Sequence, residues 1–415
     1  MNQKKPILIL LLLFCGALFS QDNGQDKKVV FIIVDGIAAD MLEKVETPFL
    51  DQIAQKGGFT EAYVGGKKGT CSETPTISAV GYNSLITGTW VHKHNVFGNE
   101  IKAPNYRYPT VFRLYKDRYP EGKTAIFSTW LDNRTKLVGE GLEQTDNVKV
   151  DYAFDGFELD TLTFPHDAER TFIKDIDEKV AVEAARYIRE NAPDLSWVYL
   201  EFTDDMGHKY GDGPQLYEAI AFEDQLIGKI WESIRYREEN HDEEWLILIT
   251  TDHGRSAKDG KHHGGQSDRE RSTWIVTNSP NTNEYFGKHT PAVVDLLPTM
   301  VDFMDLNPDR QTRMEWDGVS LIKPVDAINL EVATDENGLV VTWDHLSRSD
   351  TKAKLYYSNT NNFKSGGKDS YVLLGEADLK KELFRIPLPK DFAGFAKIVL
   401  ETDHTFLNSW LIQTN

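Results

Sequence analysis

Apolar and polar positions along the N-terminal part of the chain follow two different periods. Residues 27–34 begin with two lysines and continue as an unbroken apolar run, which is typical of a strand buried on both faces of a sheet. Similar runs alternate with longer stretches whose apolar residues have helical spacing. The other predicted strands are residues 124–128, 197–202, 245–250 and 274–277, and the predicted helices are residues 48–54, 178–190, 215–236 and 291–304.

This alternation predicts an α/β fold with a parallel sheet that is covered by helices on both faces. Ligands of such sheets bind beyond the carboxyl ends of the strands. Asp35, Asp204 and Asp252 each follow a predicted strand closely, so we expect all three at that edge. Residues 101–175 are rich in Tyr, Phe, Asp and Pro and lack the alternation. We expect irregular structure there, over the mouth of the site.

The pattern changes after Leu321 to short apolar strands separated by turns. These strands are residues 330–332, 339–343, 354–357, 371–374, 383–386 and 397–400. Their spacing predicts a small C-terminal β-sandwich. The strand with Trp343, followed by the strand with Tyr356, is similar to a fibronectin type III module. We therefore expect an α/β domain over residues 27–323 and a sandwich over residues 327–415.

Residues 1–20 have the composition of a secretory signal peptide. Two lysines precede an apolar run at residues 7–14, and small residues follow the run. The apolar run is shorter than the roughly 20 residues that span a bilayer, so we expect no stable membrane span in the mature chain. The composition of a signal peptide predicts cleavage near Gln21 and a secreted or periplasmic protein. Cleavage leaves Cys71 as the only cysteine, which excludes a disulfide within the chain.

The charge balance limits the kinds of partner. The chain has 46 Lys and Arg against 65 Asp and Glu, for a formal net charge of -19. A chain this acidic, with no basic patch to offset the charge, is not expected to bind a nucleic-acid polymer. We expect most of the carboxylates to solubilise the surface and a few of them to bind metal.

Three segments supply His and Asp residues at the spacing of metal ligands. Asp204 is predicted at a strand end, and a turn containing glycine returns His208 beside it. Asp252 and His253 are adjacent, so their side chains leave the strand end in different directions and suit two neighbouring metals. Residues 262–265, His-His-Gly-Gly, combine imidazoles with glycines that allow close approach to a metal or a substrate.

A segment rich in hydroxyl groups lies between the first predicted strand and these ligands. It contains Thr74, Thr76, Ser78 and Ser84. A hydroxyl at the start of a short helix, together with Asp and His residues from separate strand ends, is the arrangement of a bimetallic ester hydrolase. A simple helix cap is the alternative role for Ser78.

The order of these motifs resembles the alkaline phosphatase superfamily. The chain has Asp-Gly at residues 35–36 and then the hydroxyl segment. These are followed by Asp-x-x-Gly-His at residues 204–208, Asp-His-Gly at residues 252–254 and His-Gly-Gly at residues 263–265. The most similar branch is the type I phosphodiesterase/nucleotide pyrophosphatase group, and the resemblance runs from residue 27 to residue 321. It implies an alkaline-phosphatase-like parallel-sheet core. It also implies two metal sites, one formed by Asp35, Ser78, Asp252 and His253 and the other by Asp204, His208 and His263.

The same resemblance assigns two catalytic residues. The family places its nucleophile ten residues before the glycine of a Thr-Gly pair, and Gly88 therefore indicates Ser78. Asn99 matches an asparagine that contacts a phosphoryl oxygen in the family. Between the two neighbouring imidazoles of residues 262–265, His263 is the better match for a ligand because a glycine follows it directly.

The ligand set favours zinc. Three of the seven ligands are imidazoles, whereas magnesium and calcium prefer oxygen ligands alone, so we expect two zinc ions, with manganese as the alternative. The resemblance implies a hydrolase that acts on phosphoric ester bonds through a covalent phosphoseryl intermediate. Its expected substrate is a small-molecule phosphate ester or a nucleotide.

Two alternative functions follow from the same residues. The diesterase branch usually has threonine followed by Phe-Pro-Asn-His, whereas Ser78 is followed by Ala-Val-Gly, as in phosphatases, which keeps an alkaline-type phosphomonoesterase open. Arg134, Lys258 and Lys261 are candidate cations for the dianionic group of a monoester. A non-catalytic binding protein is the remote alternative, although every ligand position is filled.

All candidate ligands precede Leu321, so a chain cut near residue 324 is expected to keep metals and activity.

Overall fold

The computed structural model describes residues 26–346 and 352–413. The predicted signal peptide and its cleavage near Gln21 lie outside these ranges. No helix within them is long and apolar enough to cross a membrane. The strands are β1 Asp26–Val34, β2 Gly58–Tyr63, β3 Thr124–Ser128, β4 Tyr152–Phe154, β5 Leu195–Leu200, β6 Glu243–Thr250, β7 Ser272–Thr277, β8 Ala327–Asp335, β9 Gly338–His345, β10 Lys352–Ser358, β11 Val372–Asp378, β12 Leu383–Ile386, β13 Phe395–Glu401 and β14 Phe406–Ile412.

Helices occupy most of the connections between the first seven strands. The α-helices are α1 Ala39–Leu42, α2 Pro48–Ala54, α3 Ser78–Thr87, α4 Val91–His94, α5 Val111–Arg118, α6 Thr171–Asn191, α7 Phe202–Tyr210, α8 Pro214–Asn240, α9 Asp268–Arg271, α10 Glu284–Lys288, α11 Leu296–Phe303 and α12 Arg310–Glu315. The predicted α/β class is therefore confirmed. The helix predicted at residues 291–304 begins as a 3-10 turn at Val293–Asp295 and continues as α11.

The first seven strands form one mostly parallel sheet in the order β2-β7-β6-β1-β5-β3-β4. β1 lies in the middle and pairs in parallel with both β5 and β6. Val29 and Phe31 belong to the apolar core on one face of the sheet, and Val30 and Ile32 belong to the core on the other. This double burial explains why residues 27–34 form an unbroken apolar run.

Two strands at one side of the sheet depart from the prediction. β7 runs antiparallel to β6, and β2, which the sequence did not predict, pairs antiparallel with β7. The connection from β6 to β7 contains only the short helix α9, so no long crossover helix brings the chain back in the same direction. β2 alternates exposed and buried residues, as expected for a strand at the edge.

Residues 101–175 are less irregular than predicted. They include α5, β3 and the edge strand β4, which pairs with β3. A π-helix at Asn133–Val138 and short 3-10 turns fill much of the rest. Arg170 donates to Asp205 of α7 over 2.7 Å, so the end of the segment lies against the helix that carries Asp204.

The predicted local structure around Asp204 is wrong. β5 ends at Leu200 rather than at residue 202, and Asp204 and His208 lie on α7. Their spacing of four residues places both side chains on one face of that helix. The glycine between them, Gly207, is buried inside the helix and does not form a turn.

The C-terminal region contains two antiparallel sheets that form a β-sandwich. One has the order β11-β10-β13-β14 and the other the order β12-β9-β8. All six predicted strands are present, and β14 was not predicted. β11 begins one residue later than predicted, at Val372, and the other five have the predicted bounds or longer ones. The fibronectin type III likeness and the division at residues 323 and 327 stay predictions.

A buried ion pair and a buried hydrogen bond join the sandwich to the rest of the chain, at a contact we call the seam. Lys397 of β13 donates to Glu315 of α12 over 2.6 Å and to Asp369 over 2.8 Å. Lys93 of α4 donates over 2.6 Å both to Asp317 and to Asn408 of β14. The apolar core on one face of the main sheet also continues into the sandwich.

Replacing Lys397 with methionine should destabilise the whole protein. The lysine side chain is 1 % exposed, and its loss leaves two buried carboxylates without their cation. Removing one partner of a buried ion pair costs about 3 to 5 kcal/mol, which urea denaturation monitored by tryptophan fluorescence would measure. Lys390→Met changes an exposed lysine of the same region and should leave the denaturation midpoint unchanged. Equal midpoints for both variants would show that the bonds of Lys397 contribute no stability.

Candidate metal centre

The carboxyl ends of β1 and β6 carry the first group of candidate ligands. Asp35 directly follows β1 and Asp252 follows β6 by two residues, and each is 1 % exposed. Because the two strands are parallel neighbours, both carboxylates reach the same edge. The Nε2 atom of His253 lies 3.4 Å from Oδ1 of Asp35 and 3.3 Å from Oδ2 of Asp252. These two carboxylate oxygens are buried and have no hydrogen-bond partner in the described part of the chain.

Burial of these carboxylates is costly without a cation. Burial, with the nearby charge of Asp204, raises the pKa of Asp35 to about 7. Burial and then Asp35 raise the pKa of Asp252 well above its usual range. A divalent cation among the free oxygens would offset both costs, so the residues fit a metal ion.

Two tyrosines that were not predicted from the sequence orient Asp35. The hydroxyls of Tyr82 on α3 and Tyr199 on β5 both donate to Oδ2 of Asp35, the latter over 2.8 Å. They therefore leave Oδ1 to face His253. The sequence could have indicated Tyr82, because it lies four residues after Ser78 and therefore one turn along the same helix.

A second group of ligands lies beside the first. The Nε2 atom of His208 is 3.1 Å from Oδ2 of Asp204 and 3.0 Å from Nε2 of His263. The rings of His263 and His253 are stacked with their centroids 3.7 Å apart. The first group of side chains able to hold an ion is Asp35, Asp252 and His253, and the second is Asp204, His253 and His263.

All three imidazoles use Nδ1 in the same way. Nδ1 of His208 donates to the carbonyl of Lys261 over 2.8 Å, and Nδ1 of His263 donates to the carbonyl of Thr76 over 2.9 Å. In His253 the acceptor is the carbonyl of Gly254, also at 2.9 Å. Because a carbonyl can only accept, each Nδ1 carries the hydrogen, and each neutral ring has its lone pair on Nε2. In the neutral rings the lone pairs on Nε2 of His208 and His263 therefore face each other at 3.0 Å. A bound cation would offset the repulsion between these lone pairs.

Asp204 differs from the other two aspartates because it already has a cationic partner. Burial alone would raise its pKa, but the neighbouring His208 and the charge of Arg255 hold the pKa below its usual range. The side chain of Arg255 is fully buried and its Nη1 lies 2.6 Å from Oδ1 of Asp204. Arg255 was not predicted from the sequence, because an arginine two residues after a ligand is typical of an ordinary surface charge.

Ser78 is the first residue of α3 and lies at the edge of the first ligand group. Its Oγ is 3.4 Å from Nε2 of His253. Ile77 occupies the cap position, so Ser78 is not the helix cap. The hydroxyls of Thr74, Thr76 and Ser84 each donate to a backbone carbonyl. Ser78 has no such bond among the described residues, which favours it as the free hydroxyl.

Asn99 lies beside the start of α3. Its Oδ1 accepts a hydrogen bond from the backbone N–H of Ala79 over 3.0 Å. The amide nitrogen of Asn99 is therefore turned away from the helix and has no partner in the described ranges. His94 holds the loop that leads to Asn99, because its two ring nitrogens contact Ser84 at 3.1 Å and the N–H of Val96 at 3.1 Å.

Other candidates from the sequence lie outside this cluster. His262 is exposed, and its backbone N–H donates to Ser256. Arg134 is held by Asp155 over 2.6 Å and by Glu140. The backbone carbonyl of Lys261 accepts from His208, while its ammonium group has no ion-pair partner among residues 26–346 and 352–413.

Comparison with known proteins identifies relatives of the chain. The family model of type I phosphodiesterase/nucleotide pyrophosphatase matches residues 29–349. The human ectonucleotide pyrophosphatase/phosphodiesterase family member 7 is 23 % identical over 257 residues, which is 58 % of this chain and 50 % of that protein. The human family member 5 is 24 % identical over 261 residues, 59 % of this chain and 48 % of that protein. The chain thus spans about half the length of the curated relatives it matches.

The fold also resembles solved structures. The crystal structure of Ps i-CgsB in complex with k-i-k-neocarrahexaose superposes with a TM-score of 0.51 at 13 % identity, over 77 % of this chain and 82 % of that one. At this level of identity the likeness concerns the fold alone.

Proposed function

The chain belongs to the type I phosphodiesterase/nucleotide pyrophosphatase family, and from this we propose that it hydrolyses phosphoric esters with two divalent metal ions and Ser78 as the nucleophile. One observation carries the proposal. Three imidazoles direct Nε2 toward one space at the end of the sheet, and the oxygens of Asp35 and Asp252 without a partner border that space.

The ligands divide into two sets in this proposal. Asp204, His208 and His263 form one set, while the other set is Asp35, Ser78, Asp252 and His253. Zinc is the favoured ion because each set contains an imidazole, and manganese is the alternative. When bound, the two ions would lower the pKa of the Ser78 hydroxyl and offset the charge of the phosphoryl oxygens.

The remaining chemistry belongs to side chains and backbone of this chain. Oγ of Ser78 loses its proton to solvent and forms a bond to phosphorus while the bond from phosphorus to the ester oxygen breaks, and the leaving oxygen departs with the electron pair and takes up a proton from solvent. Water then attacks phosphorus, the bond from phosphorus to Oγ breaks, and Oγ takes back the proton that the water loses. The free amide nitrogen of Asn99 is placed to donate to a phosphoryl oxygen, because its Oδ1 is held by Ala79. The N-terminus of α3 adds a favourable dipole.

We propose a small-molecule phosphodiester or nucleotide as the substrate. A phosphomonoester carries a second negative charge and needs a further cation in the site. Arg134 is already neutralised by two acidic side chains, which supports the diester. Lys261 supports the alternative, an alkaline-type phosphomonoesterase, because it borders His208 and its ammonium group is not paired within the described chain.

A substrate panel on the zinc-loaded protein tests the proposal. An aryl phosphodiester and a dinucleotide are expected to have a higher kcat/KM than an aryl phosphomonoester. Lys261→Ala should lower kcat/KM for the monoester by about tenfold, equivalent to about 1.4 kcal/mol, only if the monoesterase alternative holds. Lys258→Ala tests the other candidate lysine, which is exposed and lies in the same loop, and a loss in this variant instead would assign the cation to Lys258. No hydrolysis of any substrate by metal-loaded protein would support the non-catalytic alternative.

The proposal includes export of the protein through the signal-like residues 1–20. It includes no nucleic-acid polymer as a substrate, because the net charge of -19 opposes one.

A further inference from the structure

Arg255 links three segments of the candidate metal centre through its guanidinium group. Nε donates to the carbonyl of Gly260 over 2.6 Å. Nη1 donates to Oδ1 of Asp204 over 2.6 Å and reaches the carbonyl of Gly36 at 3.4 Å. Nη2 donates to the backbone carbonyl of Asp204 over 3.0 Å. The side chain is 0 % exposed, so water does not compete for these bonds.

Two glycines of the metal-binding motifs leave room for this side chain. A Cβ atom at Gly207 would lie 2.1 Å from Cζ of Arg255. A Cβ atom at Gly36 would lie 2.6 Å from Nη1, and Gly36 also has a φ of +70°. Gly36 belongs to the Asp-Gly motif and Gly207 to the Asp-x-x-Gly-His motif. The backbone of both motifs therefore approaches the guanidinium more closely than a residue with a Cβ atom would allow.

The bonds of Arg255 determine how Asp204 and the histidines meet. Oδ1 of Asp204 is engaged by Arg255, which leaves Oδ2 to face His208 at 3.1 Å. The bond to Gly260 fixes the backbone just before Lys261, whose carbonyl orients His208. Two residues later the same loop carries His263. One buried cation thus holds a carboxylate and the loop that orients or carries both imidazoles.

We propose that Arg255 is a positioning residue that keeps the ligand set of Asp204, His208 and His263 assembled when no metal is bound. The inference rests on the proposed metal-dependent function for its consequence, which is tighter metal binding at this set than at an unassembled one. Its planar fork, rather than its charge, is the property that matters, because only a guanidinium can bond to Gly260 and to both groups of Asp204 at once.

Hydrogen exchange of the metal-free protein tests the assembly itself. Arg255→Met and Arg255→Lys should both speed up amide exchange in residues 202–210 and 256–263, where loss of the bonds permits local opening. Arg237→Met is the matched control, since the Arg237 side chain is only 11 % exposed and pairs with Glu243 at the opposite end of β6. Unchanged exchange in residues 202–210 and 256–263 in both Arg255 variants would overturn the proposal, whether or not the wild type binds metal.

Metal release from zinc-loaded protein tests the consequence. We expect both Arg255 variants to bind one of their two ions about 10 to 100 times more weakly in competition with a chelator, the usual effect of losing a residue that orients a ligand, while the second ion and both ions of Arg237→Met are unaffected. Wild-type affinity in Arg255→Lys, or tighter binding in Arg255→Met, would mean that charge rather than position is what Arg255 supplies, and would overturn the proposal. Wild-type protein that takes up no metal would instead refute the proposed function, and hydrogen exchange would still decide the role of Arg255.

Discussion

Ser78→Ala is expected to lower kcat by about four to six orders of magnitude, the size of effect seen when a catalytic nucleophile is removed, while both metal ions remain bound. The side chain lost is one hydroxyl, and three protein ligands remain in its set. Steady-state hydrolysis of an aryl phosphodiester gives the change in kcat, and elemental analysis gives the metal content. The assignment depends on Ser78 being the hydroxyl that makes no bond to a backbone carbonyl within the described chain.

Thr74→Ala and Thr76→Ala are the comparison for this result. Both threonine hydroxyls donate to carbonyls, so these variants should keep a large part of the activity. A Ser78→Ala protein that hydrolyses the ester at nearly the wild-type rate, together with an inactive threonine variant, would move the nucleophile to that threonine.

The second large effect is expected on removal of metal. Protein purified without chelator should contain about two zinc or manganese ions per chain, by the two-metal template, and dialysis against a chelator should abolish activity until zinc is restored. Because the folded state alone has the assembled site, bound metal also stabilises it, by about 4 kcal/mol when the free metal is at 1,000 times its Kd. Thermal denaturation with and without metal measures this part. Full activity in verified metal-free protein would exclude the metal centre.

A pair of neighbouring histidines provides the control for that experiment. His263→Ala should lose one metal ion and activity, because Nε2 of His263 lies 3.0 Å from Nε2 of His208. His262→Ala removes an exposed imidazole one residue away and should have neither effect. Loss of metal in His262→Ala but not in His263→Ala would mean that His262, rather than His263, is the ligand in this loop.

The first ligand group was predictable because its signals are local. Asp35 follows an apolar run directly, and adjacent Asp252 and His253 follow another, so strand ends alone bring them to one edge of the sheet. The residues of the second group were also identified, but Asp204 and His208 were given the wrong local structure. A glycine between two polar residues was interpreted as a turn, whereas packing of α7 against α8 and the fit of Gly207 beside Arg255 keep it helical.

The partners that orient the ligands could not be predicted in the same way. Tyr199 contacts Asp35 because β5 is next to β1, and that neighbourhood is a property of the assembled sheet. Arginine and lysine usually lie at the solvated surface, so only the fold reveals that Arg255 and Lys397 are buried. Pairing at long separation along the chain leaves no periodic pattern in the sequence.

The seam bears on how this chain can be recombined with others. A sandwich taken from an unrelated protein would not bring Lys397 to Glu315 or Asn408 to Lys93, so the graft would leave buried charges without partners. A working chimera would need these four positions transferred as a set. The two regions therefore have to be exchanged together, because recombination between residues 323 and 327 would separate side chains that are paired across the seam.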